Sequence, residues 1–377
     1  MDDIVDVSFF DCDTPVIEKH FCRAATFNNP ANWPLWRKPG LGEFAKMKWN
    51  EPNRAGVPHS NEEELNKHLP VHRVDDDDVA KLKLQKPPEN GMQIMWIGHA
   101  TLLIQFDGLN ILTDPVFQDR CSPVQLAGPK RYRPVPCSID NLPPIDAVLI
   151  SHNHYDHLEH DAVQKLNQRF GDKIRWFVPM NMRDWFMNYG CSNVYEMTWW
   201  QKNTYVPDYE ESKRTADVIC VPAQHWSQRG PLDAMQSLWC GWVVKTKKGH
   251  TFYYTGDTGY CPVFKQIGER FGPMDLTAIP IGCYAPKYFM EPQHIGPEEA
   301  VDIHKEVKSR RSVGIHWGTF DGLGSHEPYL EPRNLLEKAV ENLKEKTDEF
   351  FTVDHGKIEF IQYTEDKDSA HGKPSNL

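Results

Sequence analysis

The chain of 377 residues carries 42 lysines and arginines against 53 aspartates and glutamates, with 25% charged and 40% hydrophobic residues. That is the composition of a soluble globular protein with chain enough for one large core or two modest ones. A formal net charge of −11 excludes an extensive phosphate-neutralising surface, so nucleic acid is not an expected partner.

The opening Met1-Asp2-Asp3-Ile4-Val5-Asp6 is acidic where a signal peptide is basic, and no run of eighteen apolar residues follows anywhere. Nine cysteines (Cys12, Cys22, Cys121, Cys137, Cys191, Cys220, Cys240, Cys261 and Cys283), scattered and without a C-x-x-C pair, read as free thiols of a reducing compartment. The expected location is intracellular, either cytoplasmic or peripheral on the cytosolic face of internal membranes.

Residues 1–90 are rich in Pro, Asn and charge and show no sustained period. They read as an arm draped over a core, either packing on it or contacting a membrane. Trp33, Trp36 and Phe44 are the candidates for lipid contact, since aromatic bodies with polar tips suit that interface. The four aspartates at 75–78 lack calcium-loop spacing and read as a solvated face.

From residue 91 the character changes. Ile94-Met95-Trp96-Ile97, Leu102-Leu103-Ile104-Gln105-Phe106 and Ile111-Leu112 flank the turn signal Asp107-Gly108 and predict consecutive strands. Asp114 follows as a turn residue, or as a carboxylate that orients a metal-bound imidazole from behind. Gly128-Pro129-Lys130-Arg131-Tyr132-Arg133 is a short basic loop, read either as a solvated turn or as a contact for a lipid phosphate.

The apolar run Ala147-Val148-Leu149-Ile150 then leads into Ser151-His152-Asn153-His154-Tyr155-Asp156-His157. Residues two apart in extended chain point to one side, so His152 and His154 converge on one ion, and a turn would carry Asp156 and His157 to a neighbouring position. Imidazole with carboxylate suits zinc, with iron or manganese behind it. Residues 160–170 predict an amphipathic helix, with Gly171 as its stop, and Trp176-Phe177-Val178-Pro179 a strand.

Three later apolar strands end the same way, at His225, Asp257 and His316. One ion would take His152, His154, His225 and Asp257, and a second Asp156, His157, His316 and the shared Asp257, giving two zinc ions per chain. Asp257, Asp156 and His157 are the expected catalytic core. The domain that bears them is expected to span residues 91–363, followed by a disordered polar tail at 364–377.

His-Asn-His-Tyr-Asp-His with a distant His, Asp and His resembles the metallo-β-lactamase superfamily. The fold implied is an α/β, αββα sandwich of two mixed β-sheets flanked by helices. Trp96-Ile97-Gly98-His99-Ala100-Thr101, Leu112-Thr113-Asp114-Pro115, Gly256-Asp257-Thr258-Gly259-Tyr260 and Ile315-His316-Trp317-Gly318-Thr319 resemble, more narrowly, the N-acyl-phosphatidylethanolamine phospholipases D, over roughly residues 28–332. The resemblance implies a phospholipid substrate, cleaved to phosphatidic acid and an N-acylethanolamine by a binuclear metal-bound hydroxide. It further implies peripheral membrane contact, a possible homodimer, and a substrate groove with Tyr155, Gln125, Trp226, Arg229, Gln293 and His294. Gln228-Arg229 departs from the basic pair of that family. A lactonase or ribonuclease of the same superfamily is the alternative, and the acidic balance argues against RNA.

Overall fold

Strands covered on both faces need not alternate apolar and polar residues. The run at 92–113 behaves so: Met92–Gly98, Thr101–Phe106 and Leu109–Thr113 are buried at every position. The computed structural model describes residues 16–18, 26–50, 54–206, 214–341 and 349–363. The tail at 364–377 lies outside the described residues.

Two mixed seven-stranded sheets face each other. The first runs Ile358–Ile361, Met92–Gly98, Thr101–Phe106, Leu109–Thr113, Ala147–Leu149, Arg175–Pro179, Val194–Met197. Its first four strands are antiparallel and the rest parallel. The second runs Lys202–Tyr205, Ala216–Val221, Gly241–Thr246, Thr251–Tyr254, Leu276–Pro280, Ser312–Ile315, Phe350–Phe351. It repeats the same division between antiparallel and parallel pairs. The main core fills the space between them, with Ile104, Leu149 and Phe177 of one sheet against Trp242, Tyr254 and Ala278 of the other.

Helices cover the outer faces. His160–Phe170 turns Ala162, Val163 and Leu166 onto Val148, Ile150 and Trp176 of the first sheet. On the second sheet, Pro297–Glu306 packs on Leu276–Pro280 and Glu331–Glu341 on Phe350–Phe351. The result is the expected α/β sandwich, and the predicted strands and helix stand within a residue or two of their observed bounds.

The arm holds more structure than its lack of period suggested. Leu41–Asn50, Glu62–His68 and Asp78–Gln85 are helices. The last two start on side-chain caps: Asn61 accepts from Glu64 N at 3.0 Å, and Asp77 from Val79 N at 2.9 Å and Ala80 N at 3.1 Å. Capping and tertiary contact stabilise such short helices where periodicity is weak. The four-aspartate run is therefore not a solvated face throughout, since Asp75 also accepts from Asn141 Nδ2 at 2.8 Å.

Nor do the arm aromatics act alike. Trp33 is buried in the main core and stacks on Trp199, centroids 5.8 Å apart, which removes it as a lipid contact. Trp36 and Phe44 instead line an open groove. Trp33→Ala is expected to lower the unfolding free energy by about 3–5 kcal/mol. Phe44→Ser, at a residue 48% exposed, is expected to change it by under about 0.5 kcal/mol. Urea midpoints of the two variants check the difference, and equal shifts would refute the assignment.

Candidate metal centre

The parallel strand Ala147–Leu149 hands its chain to a turn in which His157 N and Leu158 N both donate to His154 O, at 3.1 and 2.9 Å. The turn separates the motif into two sets. His152 Nε2 lies 2.8 Å from His154 Nδ1, and His225 Nε2, arriving just past the strand Ala216–Val221, lies 3.3 Å from the same atom. Beyond the turn, Asp156 Oδ2 lies 3.5 Å from both His157 Nε2 and His316 Nε2.

Asp257 stands between the sets. Its Oδ2 is 3.1 Å from His157 Nε2 and from His316 Nε2, 3.8 Å from His225 Nε2 and 3.9 Å from His152 Nε2. Gly256 delivers it: at φ +63° the backbone passes so near Ser151 that a Cβ would meet the Ser151 Cβ at 2.7 Å. His99, Asp114 and His316 also hold positive φ (53°, 30° and 61°). Such backbone strain, roughly 1–3 kcal/mol each, persists where surroundings over-determine the conformation.

These separations test whether the residues fit metal. Zinc–nitrogen bonds of about 2.0–2.1 Å make the edge of a coordination tetrahedron about 3.3 Å. His157 Nε2, His316 Nε2, Asp156 Oδ2 and Asp257 Oδ2 form five such edges of 3.1–3.5 Å, including 3.2 Å between the two ring nitrogens. The His152, His154, His225 and Asp257 set is looser, at 2.8–3.9 Å. Both donor sets fit.

Electrostatics agree. Burial opposes charge on Asp257, yet the neighbouring His157 and His316 hold its carboxyl well below the usual range, and the same histidines with His99 do so for Asp156. Burial also opposes charge on His157 and His316, but the carboxylate of Asp257 outweighs it and holds both well above the ordinary imidazole value. His152 and His225 go the other way, kept neutral chiefly by burial, and His154 is lowered to about 4 for the same first reason. A buried and a half-buried carboxylate that favour the charged form of two imidazoles mark a site suited to positive charge.

Asp114 positions one ligand from behind. Its Oδ2 accepts from His157 Nδ1 at 2.6 Å and from Ser151 Oγ at 2.5 Å, while Oδ1 accepts from Ser151 N at 2.7 Å and the Tyr254 hydroxyl closes the cluster. His99 was not among the expected site residues. Its Nε2 meets Asp156 Oδ2 at 2.9 Å, and burial, its largest influence, lowers its pKa to about 3, so the neutral ring donates that bond. The signal was present, for His99 follows an apolar strand end just as His225 and His316 do.

Of the expected substrate contacts, Tyr155, Trp226, Gln293 and His294 line a groove of ≈ 640 Å³ whose floor is Asp156, Asp257 and His316. Trp226 Nε1 donates to Gln293 Oε1 at 2.5 Å, and the Gln293 carbonyl accepts from His225 Nδ1 at 2.9 Å. Gln125 is not in the groove: it is exposed and bonds Arg120 and Gln118 within its own loop. Arg229 is not there either. Its guanidinium stacks over Tyr155 at 4.1 Å and donates to Asn153 O and Leu158 O at 3.1 and 2.8 Å, so it pins the histidine loop.

The basic loop is likewise structural in part. Arg131 is buried and donates to Val116 O at 2.7 Å, and Arg133 Nη2 donates to Asn66 Oδ1 at 2.6 Å. Neither is presented to a lipid phosphate. The arm reaches the centre through Asn29, whose Nδ2 donates to His225 O at 2.8 Å.

Fold and site together define a metal-dependent hydrolase of the β-lactamase superfamily, and residues 109–317 match the model of its "Beta-lactamase superfamily domain". The chain belongs, within it, to the family of the N-acyl-phosphatidylethanolamine-hydrolysing phospholipases D. It is 42% identical to the Caenorhabditis elegans enzyme of that name, N-acyl-phosphatidylethanolamine-hydrolyzing phospholipase D 1, over 88% of this chain and 91% of the relative. The Saccharomyces cerevisiae protein named as the mitochondrial form is 33% identical over 77% of this chain and 66% of its own. Among solved structures, an isothiocyanate hydrolase from Delia radicum gut bacteria shares the fold at TM-score 0.56 and 20% identity, over 72% of this chain and all 100% of that one.

Two outcomes are expected of the centre. Asp257→Asn keeps the shape but removes the shared charge, so elemental analysis should find metal content lowered while circular dichroism stays native; full metal content would remove Asp257 from the site. His157 and His316 must each lose a proton to coordinate, and both hold protons above the ordinary imidazole value of 6.5. Metal affinity should therefore rise from pH 6 to pH 8, with protons released on binding in weakly buffered solution. A flat profile would contradict this.

Proposed function

We propose that the protein is a binuclear zinc phosphodiesterase that hydrolyses N-acyl-phosphatidylethanolamine to phosphatidic acid and an N-acylethanolamine. The observation that carries this reading is the two donor sets sharing Asp257 at the floor of a groove with apolar walls. Family membership and the acidic composition support phospholipid over RNA.

His152, His154, His225 and Asp257 would hold one ion, and Asp156, His157, His316 and Asp257 the other. Zinc, when bound, supplies Lewis acidity toward the phosphoryl oxygens and lowers the pKa of water into the neutral range. Two divalent ions against two carboxylates leave the floor positive, opposite in sign to a phosphodiester monoanion. Asp114 keeps the His157 ring in place, and the Gln293 carbonyl does the same for His225.

Above the floor, His294 has its pKa lowered to about 4, chiefly by burial, so it offers a ring hydrogen bond rather than a charge to a phosphoryl oxygen. Trp36, Phe44, Met47 and Phe289 wall the groove and match the acyl chains of a lipid. Leu126 and Leu232, 94% and 83% exposed, stand in loops and suit peripheral contact with a bilayer on its cytosolic face. No helix among the described residues is long and apolar enough to cross a membrane.

The test offers metal-loaded protein detergent-dispersed N-acyl-phosphatidylethanolamine, RNA and a lactone side by side. Turnover of the phospholipid alone is expected, and preference for either competitor refutes the reading. In water enriched in oxygen-18, the label should enter phosphatidic acid and leave the N-acylethanolamine hydroxyl unlabelled. Label in the ethanolamide would rule out attack at phosphorus.

A further inference from the structure

The outer face of the second sheet carries a cavity of its own, of ≈ 440 Å³. Its lining combines the apolar side chains of Trp200, Ile219 and Phe271 with the charged ones of Lys202, Asp217, Lys245 and Arg270. It shares no lining residue with the groove above the metal centre. The volume is that of a small-molecule site, for which roughly 300–1,000 Å³ is usual.

Strand register sets these side chains on one surface. Lys202 pairs with Ile219, and Asp217 with Lys245, across the antiparallel strands Lys202–Tyr205, Ala216–Val221 and Gly241–Thr246. Paired residues of such strands point the same way, as do residues two apart along one strand, so all four share a face. The opposite face is the inner one. There Ala216 pairs with Tyr205 and Cys220 with Trp242. Tyr205 donates to Asp146 Oδ1 at 3.0 Å, and Trp242 meets the Phe177 ring of the first sheet at 6.2 Å.

The helix Val263–Phe271 closes one side of the cavity with its last two residues. The Arg270 guanidinium lies 4.1 Å from the centroid of the Trp200 ring, and Phe271 stacks on the same ring, centroids 6.5 Å apart. Trp200 is held in turn by its backbone, whose N donates to Cys220 O at 2.7 Å. The apolar wall is therefore fixed, with Trp200 and Ile219 buried, while both lysines remain exposed.

Three cations against one carboxylate leave this lining at +2 in a chain of net charge −11. Asp217 is engaged already, at 3.5 Å from Lys202 Nζ and as acceptor from the Thr204 hydroxyl at 2.7 Å. Lys245 has no ion pair among the described residues. Positive charge above a fixed apolar wall is complementary to an anion with an apolar body.

We propose that this cavity binds a single-chain amphiphile with an anionic end, a fatty carboxylate or a lysophosphatidate. Its end group meets Lys202 and Lys245, and its apolar body lies on Trp200, Ile219 and Phe271. Because the cavity is separate from the groove, its occupant does not compete with substrate, and the inference stands whatever the metal centre holds.

Calorimetric titration of the full chain tests this with laurate, lauroyl lysophosphatidate and neutral monolaurin, each below its micellar concentration, and with inorganic phosphate. At least one anionic amphiphile is expected to bind, and the tighter of the two identifies the end group. Lys202→Gln with Lys245→Gln, both at exposed positions, should weaken it about tenfold. Phe44→Ser, in the groove, should leave it unchanged, and monolaurin should bind about tenfold more weakly than the anion.

Four results would each overturn the proposal. Neither anionic amphiphile binds, or monolaurin binds as tightly as they do. Inorganic phosphate alone matches the amphiphile, which leaves the apolar wall without a role. Binding is lost in Phe44→Ser and kept in the double lysine variant, which places the chain in the groove instead.

Discussion

Burying a carboxylate costs several kcal/mol unless charge or hydrogen bonds answer it, and this fold buries Asp114 and Asp257 and half-buries Asp156 within one small volume. Everything around them serves that requirement. Asp114 is met by Ser151, Tyr254 and His157, Asp156 by His99, and Asp257 by His157 and His316. Because those partners come from both sheets, the site can form only when the sandwich closes. The cost of charge burial thereby ties the chemistry to the fold.

The sandwich meets that demand by ending strands where ligands are needed. Ala147–Leu149 belongs to one sheet, while Ala216–Val221, Thr251–Tyr254 and Ser312–Ile315 belong to the other, and each hands its chain to a ligand-bearing turn. Rigid strand ends hold such side chains more exactly than free loops. The positive φ values of His99, Asp114, Cys283 and His316 locate the local strain at the same place, where packing on every side keeps a disfavoured backbone from relaxing.

The groove has a different origin. Its floor is the metal centre, but much of its apolar wall comes from the arm, held in place by the burial of Trp33 against Trp199 and by Asn29 on the His225 carbonyl. The part of the chain with the least sequence pattern thus shapes the space a lipid would occupy. Arg229 and Arg131, which by residue type could have met a phosphate, act instead beneath the surface on backbone carbonyls.

The strands at 92–113, at 147–149 and 175–179 and those that end before His225, Asp257 and His316 were legible in the amino-acid sequence, because apolar runs and the residue that follows each are local properties; the strands at 194–205, 241–246, 276–280 and 350–361 were not read. The division of the histidine motif into two sets was legible too, since it needs only the alternation of extended chain and one turn. Local pattern thus fixed which side chains stand at strand ends and which donor atoms they carry. Contacts across the fold instead set that His99 meets Asp156, that Gln125 and Arg229 stay out of the groove, and that the arm forms helices. Each of those outcomes depends on contacts between residues far apart in the chain, whose energies no local period encodes.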